Sequence, residues 1–323
     1  MTEIAIGVDV GGTKALAMIV ARDGRVLGEI KTRTPHDVRD GAGEATAQVL
    51  TEQIRELCDS QGLDAAAVPI GIGLPGLMRR DGRLAFAPNL KTASGANLGS
   101  LVGRALSSPV VFCENDADCA ALAEHEWGAG RGIDDFVMVT LGTGIGGGVI
   151  ADGHLVRGRS GFAGEIGHMV VAANGAPCLC GGHGCWERYA SGGGLNRLTL
   201  EAALDGRLPS LVAQCGGPDA VRAEDVTAAA AHGVGEAVAL MREVGWWLAL
   251  GLANLVAILD CGHFVIGGGL SSSSDLVLPW ARDYLVGLVE GYNARPAITV
   301  TSSMFGPRSG AMGAALVAFE RSA

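Results

Sequence analysis

Residues 165–187 combine metal-ligand side chains with two glutamates at a spacing that favours a metal site. The ligand-type residues are His168, Cys178, Cys180 and Cys185. Thiolate and imidazole groups suit tetrahedral zinc, and four protein ligands leave no open coordination position, so we expect a structural zinc ion. The alternative is three free thiols and an exposed histidine in a loose loop.

The two glutamates lie close to this ligand set. Glu165 stands three residues before the first ligand, and Glu187 stands two residues after the last. Glycines within the segment let the backbone bend enough for four ligands to converge on one ion. A loop fixed by zinc would hold both carboxylates still, which is the arrangement expected of a site for a polyhydroxy substrate.

A turn of small residues follows the first strand-like run, residues 3–10. Asp9 lies near the end of this run, and the turn consists of Gly11, Gly12, Thr13 and Lys14. Because glycine has no Cβ, backbone N–H groups in such a turn can approach phosphate oxygens. The spacing matches neither a Walker loop nor a Rossmann fingerprint. A tight β-turn that binds nothing is the alternative.

The same pattern recurs about 130 residues later. A strand-like run at 137–141 leads into a second glycine turn, formed by Gly142, Thr143 and Gly144. The Asp-Gly hairpin turns at 23–24 and 152–153 are 129 residues apart. So regular a spacing predicts an internal duplication, with two like domains facing a cleft and both glycine turns gripping one polyphosphate.

A third glycine run follows a strand-like segment and precedes a helical pattern. It consists of Gly267, Gly268 and Gly269. Small residues at this junction would let a nucleoside pass close to the backbone. Close packing of the helix on the strand is the alternative.

Asn115 and Asp116 stand where a strand-like run meets a helical pattern. A carboxylate at the carboxyl end of a strand is well placed to act as a general base. Asn and Asp at such a junction also cap helices, so both roles stay open on spacing alone.

The composition excludes several classes of protein. A chain of 323 residues is long enough for two domains or one large α/β unit. The net charge of −10 and the lack of a Lys/Arg cluster argue against nucleic-acid binding. The longest uncharged run, residues 244–259, is shorter than the about 20 residues of a membrane span, so we expect a core helix there. Scattered cysteines and the lack of an apolar leader indicate a cytoplasmic protein with free buried thiols.

Strand and helix patterns alternate along the chain, which predicts an α/β fold. Besides the runs named above, strand patterns cover residues 15–21, 26–32, 68–74, 110–113, 146–150, 154–156, 264–266 and 297–301. Helical patterns cover residues 43–60, 98–106, 117–127, 191–204, 223–231, 234–259, 276–290 and 309–320.

Five motifs in this order resemble the ROK family of sugar kinases and sugar-responsive repressors. They are D-V-G-G-T-K at 9–14, E-N-D-A at 114–117, L-G-T-G-I-G-G-G at 141–148, A-G-E-I-G-H at 163–168 and C-x-C-G-x-x-G-C-x-E at 178–187. The resemblance extends from residue 4 to about residue 316. It implies the duplicated actin/hexokinase-like (ribonuclease H-like) α/β fold, with two domains around a cleft. We expect these to be residues 1–115, completed by the helix at 309–320, and residues 116–308, which include the zinc loop 165–187.

The resemblance also implies residue roles. Asp116 matches the general base that takes the proton from the sugar's primary hydroxyl, and Asp9 matches a carboxylate near the Mg²⁺ of MgATP. The residues that match ligands of the sugar hydroxyls are Asn89, Asn115, Asp116, Glu165, His168 and Glu187. His168 would use one ring nitrogen for zinc and the other for sugar. The turns at 11–14 and 142–144 match phosphate loops, and the run at 267–269 matches the adenosine side.

The activity implied is that of a cytoplasmic ATP- and Mg²⁺-dependent glucokinase that forms homodimers or homotetramers and binds neither nucleic acid nor membrane. Residues 161–169 and 184–191 most resemble bacterial ATP-dependent glucokinases. Residues 91–95 are nearer to N-acetylhexosamine kinases, so N-acetylglucosamine, N-acetylmannosamine, mannose or fructose stays an alternative substrate. The early first phosphate loop leaves no room for the repressors' DNA-binding domain, and Asp116 disfavours a non-catalytic sugar sensor. Polyphosphate stays open as a phosphoryl donor.

Overall fold

A computed structural model describes residues 3–35, 43–88, 90, 93–108, 110–269 and 274–322. Its first sheet has five strands: β1 (Ile4–Val10), β2 (Lys14–Ala21), β3 (Val26–Arg33), β4 (Ile70–Leu74) and β7 (Val111–Asn115). Two short strands, β5 (Leu77–Met78) and β6 (Leu84–Phe86), pair separately as a hairpin. The five-stranded sheet has the order β3-β2-β1-β4-β7, in which an antiparallel meander is extended by two parallel strands.

The second sheet repeats this topology. Its strands are β8 (Phe136–Leu141), β9 (Ile145–Ala151), β10 (His154–Leu155), β11 (His263–Gly267) and β12 (Thr299–Ser302), in the order β10-β9-β8-β11-β12. In both sheets, three consecutive strands lie side by side in reverse chain order. Two strands from later in the chain then extend the sheet beside the first of the three. The duplicated actin/hexokinase-like architecture expected from the sequence is thereby confirmed.

The described residues form ten α-helices. They are α1 (Glu44–Ser60), α2 (Leu98–Leu106), α3 (Asp116–Trp127), α4 (Glu187–Ala190), α5 (Gly192–Leu204), α6 (Pro209–Cys215), α7 (Ala223–Ala231), α8 (Gly235–Leu259), α9 (Ser274–Leu288) and α10 (Ser309–Arg321). Every helical pattern of the sequence is confirmed within a few residues of its expected bounds. The short helices α4 and α6 were not predicted.

Tertiary contacts divide the chain into two compact units. Unit 1 comprises the described residues of 1–138, 147–164 and 303–323, and unit 2 comprises those of 139–146 and 165–302. The last helix of the chain, α10, therefore belongs to unit 1. The domain boundary at residues 115 and 116 stays a prediction.

Helix α10 packs unusually closely on its neighbours in unit 1. A Cβ built on Gly7 of β1 or Gly71 of β4 would overlap backbone atoms of α10, and one built on Gly313 of α10 would overlap the backbone of Cys119 in α3. These glycines therefore let α10 lie against both the first sheet and α3. This close packing gives α10 a fixed position beside the ends of β1 and β7.

A buried carboxylate fixes the start of α10. The side chain of Glu124, near the end of α3, is fully buried. Its oxygens accept hydrogen bonds from the backbone N–H groups of Ala129 (2.8 Å), Met304 (3.0 Å) and Phe305 (3.1 Å) and from the hydroxyl of Ser309 (2.9 Å). Because every partner belongs to unit 1, Glu124 ties the end of α3 to the segment that leads into α10.

Replacing Gly313 with alanine is expected to lower the free energy of unfolding by about 2–4 kcal/mol, because the new methyl group meets backbone that cannot move aside. The matched control is Gly287→Ala in α9. Gly287 is an exposed helical glycine with open space around its Cβ position. There alanine is expected to stabilise by about 0.5–1 kcal/mol. Thermal unfolding by calorimetry measures both, and a Tm unchanged by Gly313→Ala would contradict the packing described.

Helix α8 is long and apolar enough to cross a membrane by length and composition, with a mean hydropathy of 1.3. Half of that apolar window is buried inside the protein, however. Twelve of the helix's residues are buried, most of them aliphatic or small. These observations support the interpretation of α8 as a core helix.

Candidate functional site

The four metal-type residues of the sequence converge in unit 2. Their ligand atoms all lie within 4.8 Å of one another. Cys180 Sγ lies 3.7 Å from Cys185 Sγ, and Cys178 Sγ lies 3.8 Å from His168 Nδ1. Ligands bound tetrahedrally to zinc at about 2.0–2.3 Å are about 3.3–3.8 Å apart, so these two distances are compatible with a Cys₃His zinc site.

The surroundings of the three thiols shift their pKa values in different directions. Burial raises the pKa of Cys178, and the nearby carboxylate of Glu187, 2.9 Å from its sulfur, raises it further. Burial also raises the pKa of Cys185. At Cys180 burial acts in the same direction, but hydrogen bonds from the Gly182 backbone and from both other thiols lower the pKa overall. A bound metal ion would favour the thiolate form of Cys178 and Cys185, whose pKa values are raised.

His168 lies beside Cys178 and near both glutamates. Its Nδ1 faces Cys178 and is 3.9 Å from Glu187 Oε1, whereas its Nε2 is 3.9 Å from Glu165 Oε2. The two ring nitrogens therefore face different surroundings, as a histidine shared between metal and substrate requires. The structure brings Glu165, His168 and Glu187 together, as the sequence predicted, and their roles toward a sugar stay predictions.

Aromatic side chains anchor the cysteine loop to α8. Trp186 is fully buried, and its indole N–H donates to the backbone carbonyl of Trp247, 2.7 Å away. The Tyr189 ring packs on the Trp247 ring with centroids 4.2 Å apart, and its hydroxyl accepts from the Ala176 N–H at 2.8 Å. The sequence analysis missed these anchors, although a tryptophan and a tyrosine directly after the last ligand could have indicated them.

The second glycine turn, residues 142–144, lies against the start of α5. The backbone N–H groups of Gly192 and Gly193 donate to the carbonyl groups of Gly142 (2.8 Å) and Thr143 (3.1 Å). The hydroxyl of Ser191, another residue that the sequence analysis missed, also donates to Thr143 O at 2.9 Å. The start of α5 therefore fixes the shape of the turn.

Gly144 makes the turn's closest contact with the carboxylates. A Cβ on Gly144 would overlap Glu187 Oε2, whereas a Cβ on Gly142 would have no neighbour within 4 Å. Because Gly144 has no side chain, the Glu187 carboxylate has room to lie beside Cys178 and His168.

Gly144→Ala is expected to displace the Glu187 carboxylate. Through the sugar-binding role predicted for Glu187, it should weaken binding of a sugar about tenfold, the loss expected for a hydrogen bond to a charged group. Gly142→Ala adds the same methyl group two residues earlier without touching Glu187 and should leave sugar affinity unchanged. Calorimetric titration with sugar in the absence of nucleotide measures sugar affinity alone, so a change in phosphate binding by the turn does not affect the result. Equal affinities of the two variants would remove Gly144 from this role.

The third glycine run has two different surroundings. Gly268 has a φ of +87°, and a Cβ there would come within 2.6–2.8 Å of the Leu141 backbone. At this residue close packing requires glycine. Gly269 has open space at its Cβ position, and Gly267 ends β11. The role of the run beside adenosine stays a prediction.

In unit 1 the sheet brings the two aspartates of the sequence prediction to one edge. In the parallel pairing of β1, β4 and β7, Asp9 lies opposite Gly73, and Gly73 lies opposite Glu114. The carboxyl ends of these strands therefore lie together. Asp9 lies against Gly310 in the first turn of α10, where a Cβ would come within 2.7 Å of its Cγ.

The structure separates the roles of Asn115 and Asp116. Asn115 caps α3, because its side-chain oxygen accepts from the N–H groups of Ala117 (2.8 Å) and Asp118 (3.0 Å). Its amide group donates to the Gly76 carbonyl at 3.1 Å. Asp116 begins α3 and shares the Ala117 N–H at 2.8 Å. The capping alternative therefore holds for Asn115 and leaves Asp116 available for chemistry.

Burial dominates the electrostatics of the two aspartates. Both are partly exposed, yet enough protein surrounds them for burial to raise both pKa values. The pKa of Asp9 rises to about 8, with the negative charge of Asp116 as a second cause. The N-terminus of α10 favours a carboxylate but does not outweigh these effects. Two repelling carboxyl groups suit a nearby divalent cation, and carboxylate oxygens are the ligands that Mg²⁺ prefers.

The first glycine turn is stabilised from within unit 1. The Gly11 N–H donates to the Lys14 carbonyl at 2.9 Å, so it is already used by the turn. Buried Thr34, which the sequence analysis missed, donates its hydroxyl to Gly11 O at 2.8 Å and its N–H to Thr13 O at 3.1 Å. Contact of residues 11–14 with phosphate stays a prediction.

Two sequence predictions cannot be located in the structure. Asn89, the expected sugar ligand of the first domain, lies outside the described residues. The same holds for residues 91–92 of the segment at 91–95 that departs from glucokinases.

Several known proteins of similar sequence or structure are sugar kinases. A model of the ROK family matches residues 5–321. A glucokinase of Streptomyces coelicolor is 37% identical over 98% of both chains. An N-acetylmannosamine kinase of Citrobacter koseri is 31% identical over 97% of this chain and 98% of its own. The crystal structure of a ROK family glucokinase from Streptomyces griseus, in complex with glucose and AMPPNP, superposes with a TM-score of 0.85 at 36% identity and covers 98% of this chain and 99% of its own.

Proposed function

Because this chain belongs to the ROK family and is a hexose kinase, we propose that it transfers the terminal phosphoryl group of MgATP to glucose and forms glucose 6-phosphate. The observation that carries the proposal is the group of Glu165, His168 and Glu187, held by a cysteine cluster of zinc dimensions. Similarity to glucokinases over almost the whole chain favours glucose among hexoses.

Asp116 acts in this proposal as the general base. Phosphoryl transfer depends mainly on positioning and on neutralisation of charge, so the base need only accept the hydroxyl proton late in the reaction. Burial raises the pKa of Asp116, which makes it a better proton acceptor than an aspartate in water. Asn115, tied to the α3 N-terminus and to Gly76, orients the sugar beside it.

The remaining residues bind and orient. Glu165, His168, Glu187 and Asn89 accept or donate hydrogen bonds to the sugar hydroxyls. The glycine turns at 11–14 and 142–144 bind phosphate through backbone N–H groups other than those of Gly11 and Gly142, which close the turns. The run at 267–269 contacts adenosine. Asp9 would help to hold the magnesium ion of MgATP, which would neutralise phosphate charge.

Zinc is structural in this proposal. His168, Cys178, Cys180 and Cys185 would hold it, and the metal would fix the loop that carries Glu165 and Glu187. Its four protein ligands leave no position for substrate. The reacting groups are therefore the sugar hydroxyl, the terminal phosphoryl group of MgATP and the Asp116 carboxylate that accepts the proton.

A second candidate is a kinase of N-acetylmannosamine or N-acetylglucosamine. Two observations favour it: residues 91–95 depart from the glucokinase pattern, and an N-acetylmannosamine kinase is 31% identical over nearly the whole chain. The mechanism and every site residue would be the same.

A coupled assay of ADP release with MgATP distinguishes the candidates. The sugars tested are glucose, N-acetylglucosamine, N-acetylmannosamine, mannose and fructose, and polyphosphate is tested as donor by direct measurement of sugar phosphate. We expect the highest kcat/KM for glucose. A preference for an N-acetyl sugar would replace the proposed substrate, and lack of turnover with all five would favour a sugar sensor.

We further propose a cytoplasmic location and a homodimeric or homotetrameric assembly. Sedimentation of the purified protein tests the assembly. A monomer at micromolar concentration would contradict it.

A further inference from the structure

A polar cavity lies within unit 1, beside the C-terminal half of β7. Its volume is about 270 Å³, and arginines and glutamates provide most of its charged wall. The charged lining residues are Arg79, Arg80, Arg157, Arg321, Glu114 and Glu320. Four arginines thus face two glutamates in a protein whose net charge is −10. None of these residues has a role in the proposed phosphoryl transfer.

One glutamate of the cavity already has its partners. Glu114 Oε2 accepts from Arg157 Nε at 2.8 Å and from Arg321 Nη2 at 2.7 Å. The Glu114 side chain is only 9% exposed, whereas Arg157 and Arg321 are 28% and 35% exposed. Each of these two guanidinium groups therefore binds Glu114 and is also partly accessible to solvent from the cavity.

Two glutamates cannot balance four arginines, even when both are ionised. Burial raises the pKa of Glu320, and Glu126 and Glu114 act in the same direction against Arg157 and Arg321. Its ionised form is thus disfavoured relative to an ordinary glutamate. The cavity keeps an excess of positive charge for a ligand to neutralise.

Arginine donors are available for a ligand. A guanidinium group has five N–H donors. Within the described part of the chain, Arg80 uses Nε and Nη2 to bind the Gly158 carbonyl, with 3.1 Å from Nε, and Arg157 uses Nε for Glu114. The Arg79 guanidinium pairs with Asp81 at 3.5 Å on an exposed surface, and such a pair is weak.

We propose that this arginine cavity binds a small oxyanion of the phosphate class, either inorganic phosphate or the phosphoryl group of a hexose phosphate. Planar guanidinium groups match phosphate oxygens in pairs. The volume is below the roughly 300–1,000 Å³ of pockets that take drug-sized ligands, so a nucleotide is a poor fit.

The cavity is connected to Asp116 through the backbone of β7. Glu114 Oε1 also lies 3.3 Å from the N–H of Asn115, the residue that caps α3 ahead of Asp116. An oxyanion that competes for Arg157 and Arg321 would change how firmly Glu114 is held. Binding is therefore expected to change the kcat for sugar phosphorylation.

The test is calorimetric titration of the full-length protein with inorganic phosphate and, separately, with glucose 6-phosphate. Saturating glucose and MgAMPPNP are present so that the proposed catalytic residues are already engaged. The test variant is Arg79→Gln combined with Arg80→Gln, which should weaken binding about tenfold or more by loss of two charged donors. The matched control is Arg83→Gln, since Arg83 lies in the same hairpin and also pairs with Asp81 but does not line the cavity.

The expected result is binding to the parent protein and to Arg83→Gln, with a tenfold or greater loss in the double variant and an unchanged Tm. Tighter binding of phosphate would identify the free ion as ligand, and tighter binding of glucose 6-phosphate would identify the ester. No heat from either ligand, or equal affinities in all three proteins, would overturn the proposal. Because nucleotide and glucose are held constant, these outcomes do not depend on which hexose is the substrate.

Discussion

Asp116→Asn is expected to lower kcat by about 10²–10⁴-fold, the usual contribution of a positioned general base. The amide has nearly the same shape as the carboxyl group and can still accept the hydrogen bond from the Ala117 N–H. It cannot accept the proton of the sugar hydroxyl. Since Asn115 and not Asp116 provides the cap at the α3 N-terminus, the helix should keep its position and sugar affinity should change little.

The control for this substitution is Asp152→Asn. Asp152 lies in the turn between β9 and β10 with a φ of 49°, a conformation that asparagine tolerates well. The Asp152→Asn substitution removes one carboxylate from unit 1 and leaves α3 unchanged. Steady-state kinetics with MgATP and glucose, together with titration of glucose alone, compare the two. An Asp116→Asn protein with near-normal kcat would remove Asp116 from the role of base, whereas a large loss of glucose affinity would make it chiefly a sugar ligand.

The sequence predicted the fold well because its main signals are local. Strand and helix periodicity, the two glycine turns and the two Asp-Gly hairpins fall at corresponding places in both halves. The repeated strand order of the two sheets confirms the duplication that this spacing indicated. The zinc-type cluster was also recognisable, because all four ligands lie within eighteen residues and need little help from the rest of the chain.

Contacts between distant segments could not be predicted in this way. Thr34 reaches the first glycine turn from the end of β3, and Ser191 reaches the second turn across 48 residues. The pairing of Glu114 with Arg157 and Arg321 spans 43 and 207 residues. A single sequence carries no signal for such pairs, because each side chain is an ordinary polar residue until the fold brings its partner near.

One ambiguity of the sequence was settled by hydrogen bonds. The sequence left open whether Asn115 or Asp116 serves only to cap a helix. The structure assigns the cap to Asn115 and shows the neighbouring carboxyl group with a raised pKa. Which of two adjacent polar residues caps a helix depends on where the first helical residue falls, and periodicity does not determine a boundary that finely.

Replacing Cys180 with serine is expected to release zinc and to weaken glucose binding about tenfold or more. Cys180 is the exposed member of the ligand set, so the substitution removes a zinc ligand without opening the core. Without the metal, only loop contacts and the Trp186 anchor would hold Glu165 and Glu187 in place. Two charged hydrogen-bond partners of the sugar would then lose their fixed positions, and each is worth enough for about a tenfold change in affinity.

Cys215→Ser is the matched control, because Cys215 is a half-buried thiol of unit 2 outside the cluster. Metal analysis of the purified proteins should give one zinc per chain for the parent and the control, and much less for Cys180→Ser. Glucose titration should show the affinity loss only in the protein that has lost zinc. A parent protein without zinc would refute the metal site. A Cys180→Ser protein that loses zinc but binds glucose normally would mean that the protein contacts of the loop are enough to hold both glutamates.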